Sequence, residues 1–411
     1  MKKIAVMGFG VVGSGVVELC DKNKESICGR AGDEIVVKYI LDLRDFPDSP
    51  YADRVIHDFD TILKDPEVEI VAEVMGGLEP AFSYSKALLC AGKSVVTSNK
   101  ELVAQKGAEL LALAHEHGVN YLFEASVGGG IPIIRPLHMC LAANQIDEIA
   151  GILNGTTNFI LTKMIRESMS FSDALALAQK LGYAEKDPTA DVEGQDACRK
   201  ICILASLAYG KHVYPQEVHT EGITKVTLED VQYAEDWGGV IKLIGRAKRL
   251  ESGKLMVMVS PALISHESQL STVDDVFNGI LVRADATGDV VFYGKGAGKL
   301  PTASAVMGDI IDCAKAQGTI ESLRWTDSQA DTVGNYEDYP AGVYVRCRGV
   351  HAKETAVSCF GNIRTLHRGG EHDDEFAFVT EEMTERRIAA ARRQMQSDGV
   401  EVLSCIRTLD Y

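Results

Sequence analysis

The chain contains no run of the roughly 18 to 20 apolar residues that a helix needs to cross a bilayer, which excludes a membrane-spanning protein. It is also short of positive charge, because 42 lysines and arginines stand against 59 acidic residues and leave a net charge of -17. Nucleic-acid binding is therefore disfavoured, since a phosphate backbone requires clustered basic side chains. Low-complexity tracts and internal repeats are absent as well. What remains is the composition of a folded globular protein.

The ten cysteines follow no paired framework and form no C-x-x-C motif. In a chain of 411 residues this pattern indicates reduced thiols, and we expect a cytoplasmic protein. The N-terminal stretch "MKKIAVMGFGVVGSGVV" places two lysines before an apolar run, as a secretory signal does, but glycines interrupt the run and no small-residue cleavage site follows. We interpret this stretch as a strand and a turn. The length predicts two or three domains.

The same stretch places Gly8, Gly10 and Gly13 in G-x-G-x-x-G spacing, between a predicted strand and a predicted helix. Such glycines permit a tight turn, the close approach of a pyrophosphate and close packing of the helix on the strand, while the helix N-terminus presents N–H groups to phosphates. Val11 and Val12, between the last two glycines, belong to this predicted cofactor turn. The alternative is a glycine turn that binds nothing.

Strands and helices then alternate. The predicted strands are "EIVVKYILD", "EIVAEVM", "KSVVTS" and "NYLFEAS", and the helices between the later ones are "PAFSYSKALLCAG" and "KELVAQKGAELLALAHEHG". This order predicts a parallel sheet of the Rossmann type, whose ligands lie at the carboxyl ends of the strands. Gly76, Ser98 and Lys100 fall at such ends and are candidate cofactor residues. The alternative for Lys100 is a solvated lysine at a helix start.

Two residues after the second predicted strand bear on the choice of cofactor. Asp42 best matches the acidic residue that holds a ribose hydroxyl, and it comes late because the first crossover is long. Arg44, two residues further on, suits the 2′-phosphate of NADP. The sequence therefore predicts NADP or NAD without choosing between them.

The middle of the chain is polar in an unusual pattern. "GILNGTTNFILTKM" reads as a polar turn that enters an amphipathic helix, and helix capping explains it as well as substrate binding does. In residues 182–200, "GYAEKDPTADVEGQDACRK", charges crowd against an apolar helix. If Asp191 or a neighbour caps that helix, Asp196 and Lys200 lie at i and i+4 on one face. The alternative is an exposed ion pair worth about a few tenths of a kcal/mol.

Five motifs in this order resemble those of homoserine dehydrogenases: "GFGVVG", "VVTSNKELVA", "GILNGTTNFILTKM", "GYAEKDPTADVEGQDACRK" and "GAGKLPTASAVMGDI". The resemblance runs from residue 4 to about residue 315. It implies an NAD(P)-dependent oxidoreductase that interconverts L-homoserine and L-aspartate 4-semialdehyde in threonine, methionine and isoleucine biosynthesis. The runner-up enzyme is another amino-acid-semialdehyde or hydroxy-acid dehydrogenase, and a non-catalytic nucleotide sensor is the alternative from a different class.

The resemblance also implies roles for single residues. Lys200 matches the catalytic lysine, with Asp196 and Lys100 facing the reacting oxygen. Glu185 matches the carboxylate that holds the substrate amine, and Asp191 lines the same pocket. An amino-acid aldehyde carries both charges, so its pocket needs carboxylates for the ammonium and lysines for the carboxylate and the developing alkoxide. The polar turn adds two substrate-binding candidates, Gly155 and Thr156.

A monovalent cation is a further implication, Na⁺ or another, held by main-chain carbonyls in "FEASVGGGIPII". The candidate carbonyls are those of Glu124, Val127, Gly129 and Ile131. Carbonyl oxygens suit a hard cation, but a glycine-rich hinge explains the same stretch. Downstream, "GKGAGKLPTASAVMGDIIDCAKAQG" predicts a second glycine turn and a helix from about residue 302 to 317 that returns to the nucleotide domain, with Gly298 close to the cofactor.

Residues 342–411 predict the order βαββαβ, which is ferredoxin-like and resembles the ACT regulatory domain of many homoserine dehydrogenases. "GVHAKE" replaces the turn usual in that family, so a structural or oligomerising role is the alternative to effector binding. The expected domains are a dinucleotide-binding domain, a substrate-binding and dimerisation domain and an ACT-like domain, at 1–130 with 301–325, 131–300 and 342–411.

The expected partners follow from the resemblance and from the exposed edges of such sheets. We expect a small amino-acid substrate, a homodimer or homotetramer, and threonine as an effector. Neither a nucleic acid nor a membrane is expected as a partner.

Overall fold

The computed structural model describes residues 1–316, 318–320, 323–328, 331–370, 375–409 and 411. The chain forms two compact units. The first contains Met1–Ile146, Cys202–Pro215 and Gly294–Ala330, and the second contains Asp147–Ile201, Gln216–Tyr293 and Asp331–Tyr411. A search of the described helices found none with the length and apolarity required to cross a bilayer.

The strands and helices alternate regularly up to residue 122 and less regularly after it. The strands are β1 Lys2–Met7, β2 Ile35–Leu41, β3 Val55–Ile56, β4 Val68–Glu73, β5 Ser94–Thr97, β6 Tyr121–Leu122, β7 Ile146–Ile152, β8 His219–Thr220, β9 Gly239–Arg249, β10 Leu255–Ser265, β11 Phe277–Ala284, β12 Gly288–Lys295, β13 Pro340–Arg348, β14 Ile363–Leu366, β15 Glu375–Thr380, β16 Met383–Thr384 and β17 Glu401–Leu409. The helices are α1 Val11–Lys22, α2 Lys24–Ala31, α3 Phe59–Lys64, α4 Ala81–Cys90, α5 Lys100–Glu116, α6 Gly155–Glu167, α7 Phe171–Lys180, α8 Thr189–Val192, α9 Gln195–Tyr209, α10 Leu228–Trp237, α11 Lys299–Lys315, α12 Ala352–Phe360 and α13 Glu385–Ser397.

The first unit is built on a parallel sheet of six strands in the order β3-β2-β1-β4-β5-β6. Strand β1 is apolar and fully buried from Ile4 to Met7, as a strand with helices on both faces must be. The predicted Rossmann-type sheet is confirmed. The long first crossover contains two helices, α1 and α2, which explains why Asp42 follows the glycine turn so late.

Two predicted boundaries in this unit are wrong. The strand predicted in "NYLFEAS" ends at Leu122, because the chain enters a 3-10 turn at Glu124 whose carboxylate gathers later main-chain N–H groups. Helix α11 starts at Lys299 instead of about Thr302, since the Gly298 carbonyl already accepts the N–H of Thr302 at 3.1 Å. The predicted end of this helix, residue 317, lies outside the described residues.

The second unit contains a mixed sheet of 11 strands, in the order β12-β11-β7-β9-β10-β17-β13-β15-β14 with β16 and β8 attached at β13 and β10. The predicted βαββαβ order of the C-terminal segment is confirmed, with the short β16 added before α13. Its four long strands have the order β17-β13-β15-β14, which is that of a ferredoxin-like sheet. Residue 410, predicted as part of the last strand, lies outside the described residues.

The C-terminal strands continue the sheet of the preceding segment. Strand β17 runs parallel to β10 and pairs with it from Ala262–Arg407 to Ile264–Leu409. Its other edge pairs with β13 in antiparallel orientation. The last strand of the chain is therefore an interior strand of one large sheet.

Candidate active site

The glycine turn after β1 contains three glycines, and each has a different structural role. Gly8 has φ +97, a region that favours glycine, and its N–H donates to the carbonyl of Leu41 at 2.7 Å. A Cβ at Gly13 would lie 1.9 Å from the carbonyl oxygen of Gly8, so α1 packs on the turn only without a side chain there. A Cβ at Gly10 would meet nothing within 4 Å. The space over Gly10 is open, and the turn therefore fits a dinucleotide pyrophosphate.

Helix α11 packs on α1 close to this turn. A Cβ at Gly15 would lie 2.9 Å from the carbonyl oxygen of Lys299, and the Lys299 ammonium pairs with Glu18 at 2.6 Å. Gly298, with φ +130, precedes the first residue of α11. The first turns of the two helices are thus neighbours, and Val11, the first residue of α1, is 68% exposed beside the partly buried Val12. Sequence reasoning missed Gly15, whose only signal was a glycine inside a predicted helix.

Asp42 and Arg44 form an ion pair beside the glycine turn. The Asp42 carboxylate accepts the N–H of Phe9 at 2.8 Å and two guanidinium N–H groups of Arg44 at 3.0 and 3.1 Å. The Arg44 guanidinium, together with the Phe9 N–H and against partial burial, lowers the pKa of the Asp42 carboxyl to about 2. Asp42, predicted to hold a ribose hydroxyl, and Arg44, predicted to suit a 2′-phosphate, therefore already bind each other.

A buried carboxylate that the sequence did not suggest connects the ends of β4 and β5. Glu73 is fully buried and accepts the N–H of Met75 at 2.9 Å and the hydroxyl of Thr97 at 2.6 Å. The Thr97 hydroxyl accepts the N–H of Asn99 at 2.9 Å, and the Asn99 side-chain amide donates to the carbonyl of Gly77 at 2.6 Å. Burial raises the pKa of Glu73, and these hydrogen bonds oppose that shift. This ring of hydrogen bonds, which runs from the loop after β4 through Glu73, Thr97 and Asn99 back to Gly77, holds the loops after β4 and β5 together.

This ring positions three predicted cofactor residues. Gly76, with φ +85, lies in the loop between Met75 and the Asn99 contact at Gly77. The N–H of Ser98 donates to the carbonyl of Glu73 at 3.4 Å. Lys100 is the first residue of α5, whose N-cap is Asn99 through a 3.1 Å bond from the N–H of Leu102. All three lie at the carboxyl ends of neighbouring parallel strands, as predicted.

The predicted cation loop contains a second carboxylate with main-chain partners. Glu124 is 2% exposed, and its main-chain N–H donates to the Asp309 carboxylate at 2.9 Å. The Glu124 carboxylate accepts three consecutive N–H groups at 2.7, 2.9 and 2.8 Å, those of Ile133, Ile134 and Arg135. This side chain therefore fixes the loop, whereas the sequence had singled out only its carbonyl.

The glycines of the same loop are required by backbone packing within the first unit. Gly129 has φ +57, and a Cβ there would lie 2.3 Å from the carbonyl oxygen of Gly296. A Cβ at Gly128 would lie 2.3 Å from the carbonyl oxygen of Ile131, and Val127 is buried. No cluster of three acidic, histidine or cysteine side chains suited to a metal occurs among the described residues. A cation in this loop would thus depend on carbonyl oxygens, whose chemistry fits Na⁺.

In the second unit, Lys200 and Asp196 form the ion pair predicted one helical turn apart on α9. The Lys200 ammonium lies 2.9 Å from the Asp196 carboxylate and donates to the carbonyl of Leu153 at 2.7 Å. Lys200 is 7% exposed and Asp196 is 3% exposed. The alternative of an exposed surface pair is therefore wrong. A buried pair requires its hydrogen-bond partners, because desolvation of both ions is costly.

Asn154 joins this pair to Asp191. Its side-chain oxygen caps α6 by accepting the N–H of Thr157 at 2.8 Å, as the capping interpretation of the polar turn predicts. Its side-chain amide donates to Asp191 at 2.7 Å and to Asp196 at 2.8 Å. One residue thus serves both as a cap and as a bridge between two carboxylates. Sequence reasoning missed Asn154 as a site residue, although it lies in the motif that was singled out.

The remaining predicted substrate residues lie around this cluster. Asp191 lies in α8, and α9 begins at Gln195, directly after Gly194. A Cβ at Gly155 would lie 2.8 Å from the carbonyl oxygen of Val276, and the Thr156 hydroxyl donates to the carbonyl of Tyr183 at 2.6 Å. Glu185 is exposed two residues after Tyr183, and the contact described for it is at its main-chain carbonyl.

The cluster in the second unit has the groups required by a reaction at an amino-acid carbonyl. A buried ammonium held by a carboxylate and a carbonyl oxygen stabilises negative charge on a substrate oxygen and can transfer a proton to it. Carboxylates such as Asp191 suit a substrate ammonium.

Comparison with known proteins agrees with both halves of this description. The model of the homoserine dehydrogenase NAD binding domain matches residues 8–124, and the homoserine dehydrogenase model matches residues 132–311. The chain belongs to the homoserine dehydrogenase family. A homoserine dehydrogenase of Synechocystis sp. is 46% identical over 319 residues, which are 75% of this chain and 72% of the relative. The predicted family is confirmed, and the alternative of another dehydrogenase family is wrong.

Solved structures of the family are similar to this chain over all or most of its length. The crystal structure of a homoserine dehydrogenase from Thiobacillus denitrificans has a TM-score of 0.92 and 35% identity, and the match covers 100% of this chain and 98% of that one. A hyperthermophilic archaeal homoserine dehydrogenase mutant in complex with NADPH has a TM-score of 0.65 and 31% identity, with coverage of 76% and 98%. The chain is accordingly an NAD(P)-dependent oxidoreductase of the homoserine dehydrogenase family.

Proposed function

We propose that the chain interconverts L-homoserine and L-aspartate 4-semialdehyde in threonine, methionine and isoleucine biosynthesis, using the residues assembled around Lys200. The observation that carries this assignment is the buried pair of Lys200 and Asp196, which Asn154 connects to Asp191. A buried ammonium with fixed partners is positioned before substrate arrives. Positioning of this kind is the main source of electrostatic stabilisation in enzymes.

When bound, the nicotinamide accepts a hydride from homoserine or donates one to the aldehyde. In the reducing direction the aldehyde oxygen gains negative charge, and Lys200 stabilises that charge and supplies the proton directly or through one water. Asp196 and the Leu153 carbonyl hold the ammonium in place. Lys100, in the first unit, is the second candidate for the proton donor.

Substrate recognition is assigned to carboxylates and to the polar turn. Asp191 and Glu185 bind the substrate ammonium, because charge-assisted hydrogen bonds to carboxylates are the strong ones. Gly155 lets the polar turn pack against the carbonyl of Val276, and Thr156 fixes the loop that carries Glu185 through its bond to Tyr183.

The cofactor is assigned to the glycine turn of the first unit. Gly8, Gly10 and Gly13, with Val11 and Val12, receive the pyrophosphate at the start of α1. The remaining cofactor residues are Gly76, Ser98, Lys100 and Gly298.

We propose that both NAD and NADP are accepted. Asp42 suits a ribose hydroxyl and Arg44 suits a 2′-phosphate. The exposed Arg44 side chain can release the Asp42 carboxylate and bind the 2′-phosphate instead. The NADPH named for the archaeal relative supports the second possibility. Fluorescence titration with NADH and NADPH measures the preference, and a ratio of dissociation constants above about a thousandfold, about 4 kcal/mol, would contradict dual use.

A monovalent cation, Na⁺ or another, is proposed for the carbonyls of Glu124, Val127, Gly129 and Ile131. Its support is the type of donor and the fixed geometry that the Glu124 carboxylate imposes on the loop. Thermal melting in sodium chloride and in the chloride of a bulky organic cation tests it. Equal melting temperatures in the two salts would remove the site.

The next proposal concerns assembly and control. We expect a homodimer or homotetramer in the cytoplasm, with threonine as an effector of the ACT-like segment 342–411. The three domains of 1–130 with 301–325, 131–300 and 342–411 remain the proposed functional division. All ten cysteines are free thiols in the structure, and a reducing compartment would keep them so.

The direct experiment follows nicotinamide absorbance with purified protein. Turnover is expected with NAD(P)⁺ and homoserine and with NAD(P)H and aspartate 4-semialdehyde, but not with cofactor alone. Absence of turnover with both substrates, in a protein that binds NAD(P)H, would favour the sensor alternative.

A further inference from the structure

A cavity of about 390 Å³ lies in the second unit, where the large sheet opens between β10 and β17. Pairing between these strands is limited to residues 407–409 of β17. Further along, β10 instead pairs with β8, at Met258 and Val259. The segment of β17 from Val402 to Ile406 therefore lines the cavity with one edge of its backbone. Its volume lies within the roughly 300 to 1,000 Å³ typical of small-molecule sites.

The two carboxylates that line the cavity already have hydrogen-bond partners in the protein. Glu221 accepts two guanidinium N–H groups of Arg407, at 3.0 and 2.9 Å, and contacts the ring of His219 at 2.6 Å. Burial raises the pKa of Glu221, but His219 and Arg407 outweigh it and hold the pKa at about 2. The Glu193 carboxylate accepts the hydroxyl of Thr224 at 3.1 Å. The two carboxylates are thus occupied as acceptors.

The two cationic side chains that line the cavity lack such partners among the described residues. Lys225 comes from the segment after β8 and Arg392 comes from α13, so they belong to different walls. Within the part of the chain that the structure describes, neither side chain has an ion pair or a hydrogen bond. Their N–H groups are therefore hydrogen-bond donors without an acceptor among the described residues. A ligand that brings acceptor oxygens and negative charge would complement them.

Apolar residues also line the cavity. Val226 lies in the segment after β8 and Pro261 lies on β10. Val402, Leu403 and Ile406 lie on β17. An inorganic anion would leave this apolar surface in contact with water. A ligand with a hydrocarbon part would bury it, at about 25 cal/mol per Å².

We propose that this cavity binds a small organic carboxylate, whose anionic group is held by Lys225 and Arg392 and whose hydrocarbon part lies against Val226, Pro261 and Val402. The site is separate from the cluster around Lys200 and involves different side chains. It therefore adds a binding function that the dehydrogenase reaction does not require.

The wall of the cavity is built directly on the segment that carries Asp191. A Cβ at Gly222 would lie 2.2 Å from the carbonyl oxygen of Val192, and the N–H of Ile223 donates to that carbonyl at 2.8 Å. Val192 is the residue after Asp191 and ends α8. A ligand that orders this wall changes the position or mobility of Asp191, and the KM for homoserine should then change. This consequence rests on the proposed function, whereas binding itself does not.

The test uses isovalerate, a branched carboxylate, and isovaleramide, its neutral counterpart, with the full-length protein. Isothermal titration calorimetry should give saturable binding of isovalerate and at least tenfold weaker binding of isovaleramide. Arg392→Gln and Lys225→Gln should each weaken isovalerate binding at least threefold. Arg393→Gln, the neighbouring position on the same helix and not part of the cavity, should leave it unchanged.

Several results would overturn the site. These are absence of saturable isovalerate binding to the wild-type protein, equal binding of the amide, or binding unaffected by both substitutions. Inorganic phosphate bound as tightly as isovalerate would also count against it, because the apolar wall would then contribute nothing. Circular dichroism of each variant separates a lost site from a lost fold. Since calorimetry requires no turnover, failure here is distinguishable from failure of the proposed reaction.

Discussion

At the scale of single residues, the candidate cofactor site of the first unit and the candidate substrate site of the second are each organised by a buried polar side chain with several partners. Glu73 in the first unit and Asn154 in the second both connect two loops that are distant in sequence. A buried polar group left without a partner costs about 1 to 3 kcal/mol, so these side chains specify one arrangement of their loops. Positions of this kind should be sensitive even to isosteric substitution.

Glu73→Gln tests this at the cofactor side. The amide presents an NH₂ group where the carboxylate accepted a hydrogen bond, so either Met75 or Thr97 loses its acceptor. We expect about a threefold to tenfold weaker affinity for NAD(P)H, from a loss of about 1 kcal/mol. Glu69→Gln, an exposed position on the same strand, is the matched control. Fluorescence titration of both variants measures it, and an unchanged dissociation constant for Glu73→Gln would remove its positioning role.

Asp42 gives a prediction for pH. Its pKa of about 2 in the folded protein lies below the usual 3.8, so the ionised carboxylate stabilises the fold above pH 3.8. That contribution is lost as the pH falls from 3.8 towards about 2. Asp42→Asn should therefore lower the melting temperature near neutral pH, and the difference from wild type should narrow as the pH falls through this window. Asp45→Asn, exposed nearby, is the control, and a difference constant with pH would contradict the assignment.

These residues also mark the limit of sequence reasoning. The spacing of Asp196 and Lys200 was enough to predict that they pair, because i and i+4 residues share a helix face. The burial of that pair, and the bridge from Asn154, depend on elements that meet only in the folded chain. No local pattern distinguishes Glu73 from any other strand residue, since its side-chain partner Thr97 lies on the next strand.

At the scale of elements, periodicity and glycine spacing predicted the strands and helices of the first unit well. The apolar, buried part of β1 from Ile4 to Met7 and the alternation of strands with helices leave few alternatives to a parallel sheet. The boundaries that failed, at Leu122 and Lys299, follow from particular hydrogen bonds, those of the Glu124 carboxylate to residues 133–135 and that of the Gly298 carbonyl to Thr302. The Glu124 carboxylate ended one strand early and Gly298 started a helix early.

The glycine turn allows a paired prediction. Gly10→Val places its side chain in open space, so the protein should fold and lose at least about a hundredfold in NAD(P)H affinity by occupying the pyrophosphate site. Gly13→Val should instead destabilise the first unit, because its Cβ would lie 1.9 Å from the Gly8 carbonyl oxygen. Thermal melting and fluorescence titration separate the two effects. A folded Gly10→Val protein with wild-type affinity would refute the assignment of the turn.

At the scale of the whole molecule, the C-terminal segment is part of the architecture of the second unit. Strand β17 pairs with β10, and Arg407 on β17 binds Glu221 in a bidentate pair. The sequence predicted the βαββαβ order but not this continuity. Strand pairing between segments so far apart in the chain has no local signature.

Deletion of residues 342–411 should therefore lower stability. The truncation exposes an edge of β10 and leaves Glu221 without Arg407, so the melting temperature should fall by at least several degrees and aggregation should increase. Differential scanning calorimetry with light scattering measures both. An unchanged melting temperature would indicate that the C-terminal segment is an independent domain. Any threonine sensitivity that survives truncation would place that inhibitor at the active site.

The central claim is that Lys200 performs the chemistry, and steady-state kinetics of Lys200→Ala tests it most directly. We expect kcat to fall about a hundredfold or more with NAD(P)H affinity unchanged. The control Lys163→Ala, at a lysine paired with Glu167 on α6, should stay near wild type. Removal of one partner of a buried pair costs stability, so Lys200→Arg, which keeps a cation beside Asp196, carries the test if the alanine variant does not fold. Near-normal kcat in a folded Lys200→Ala protein would contradict the account.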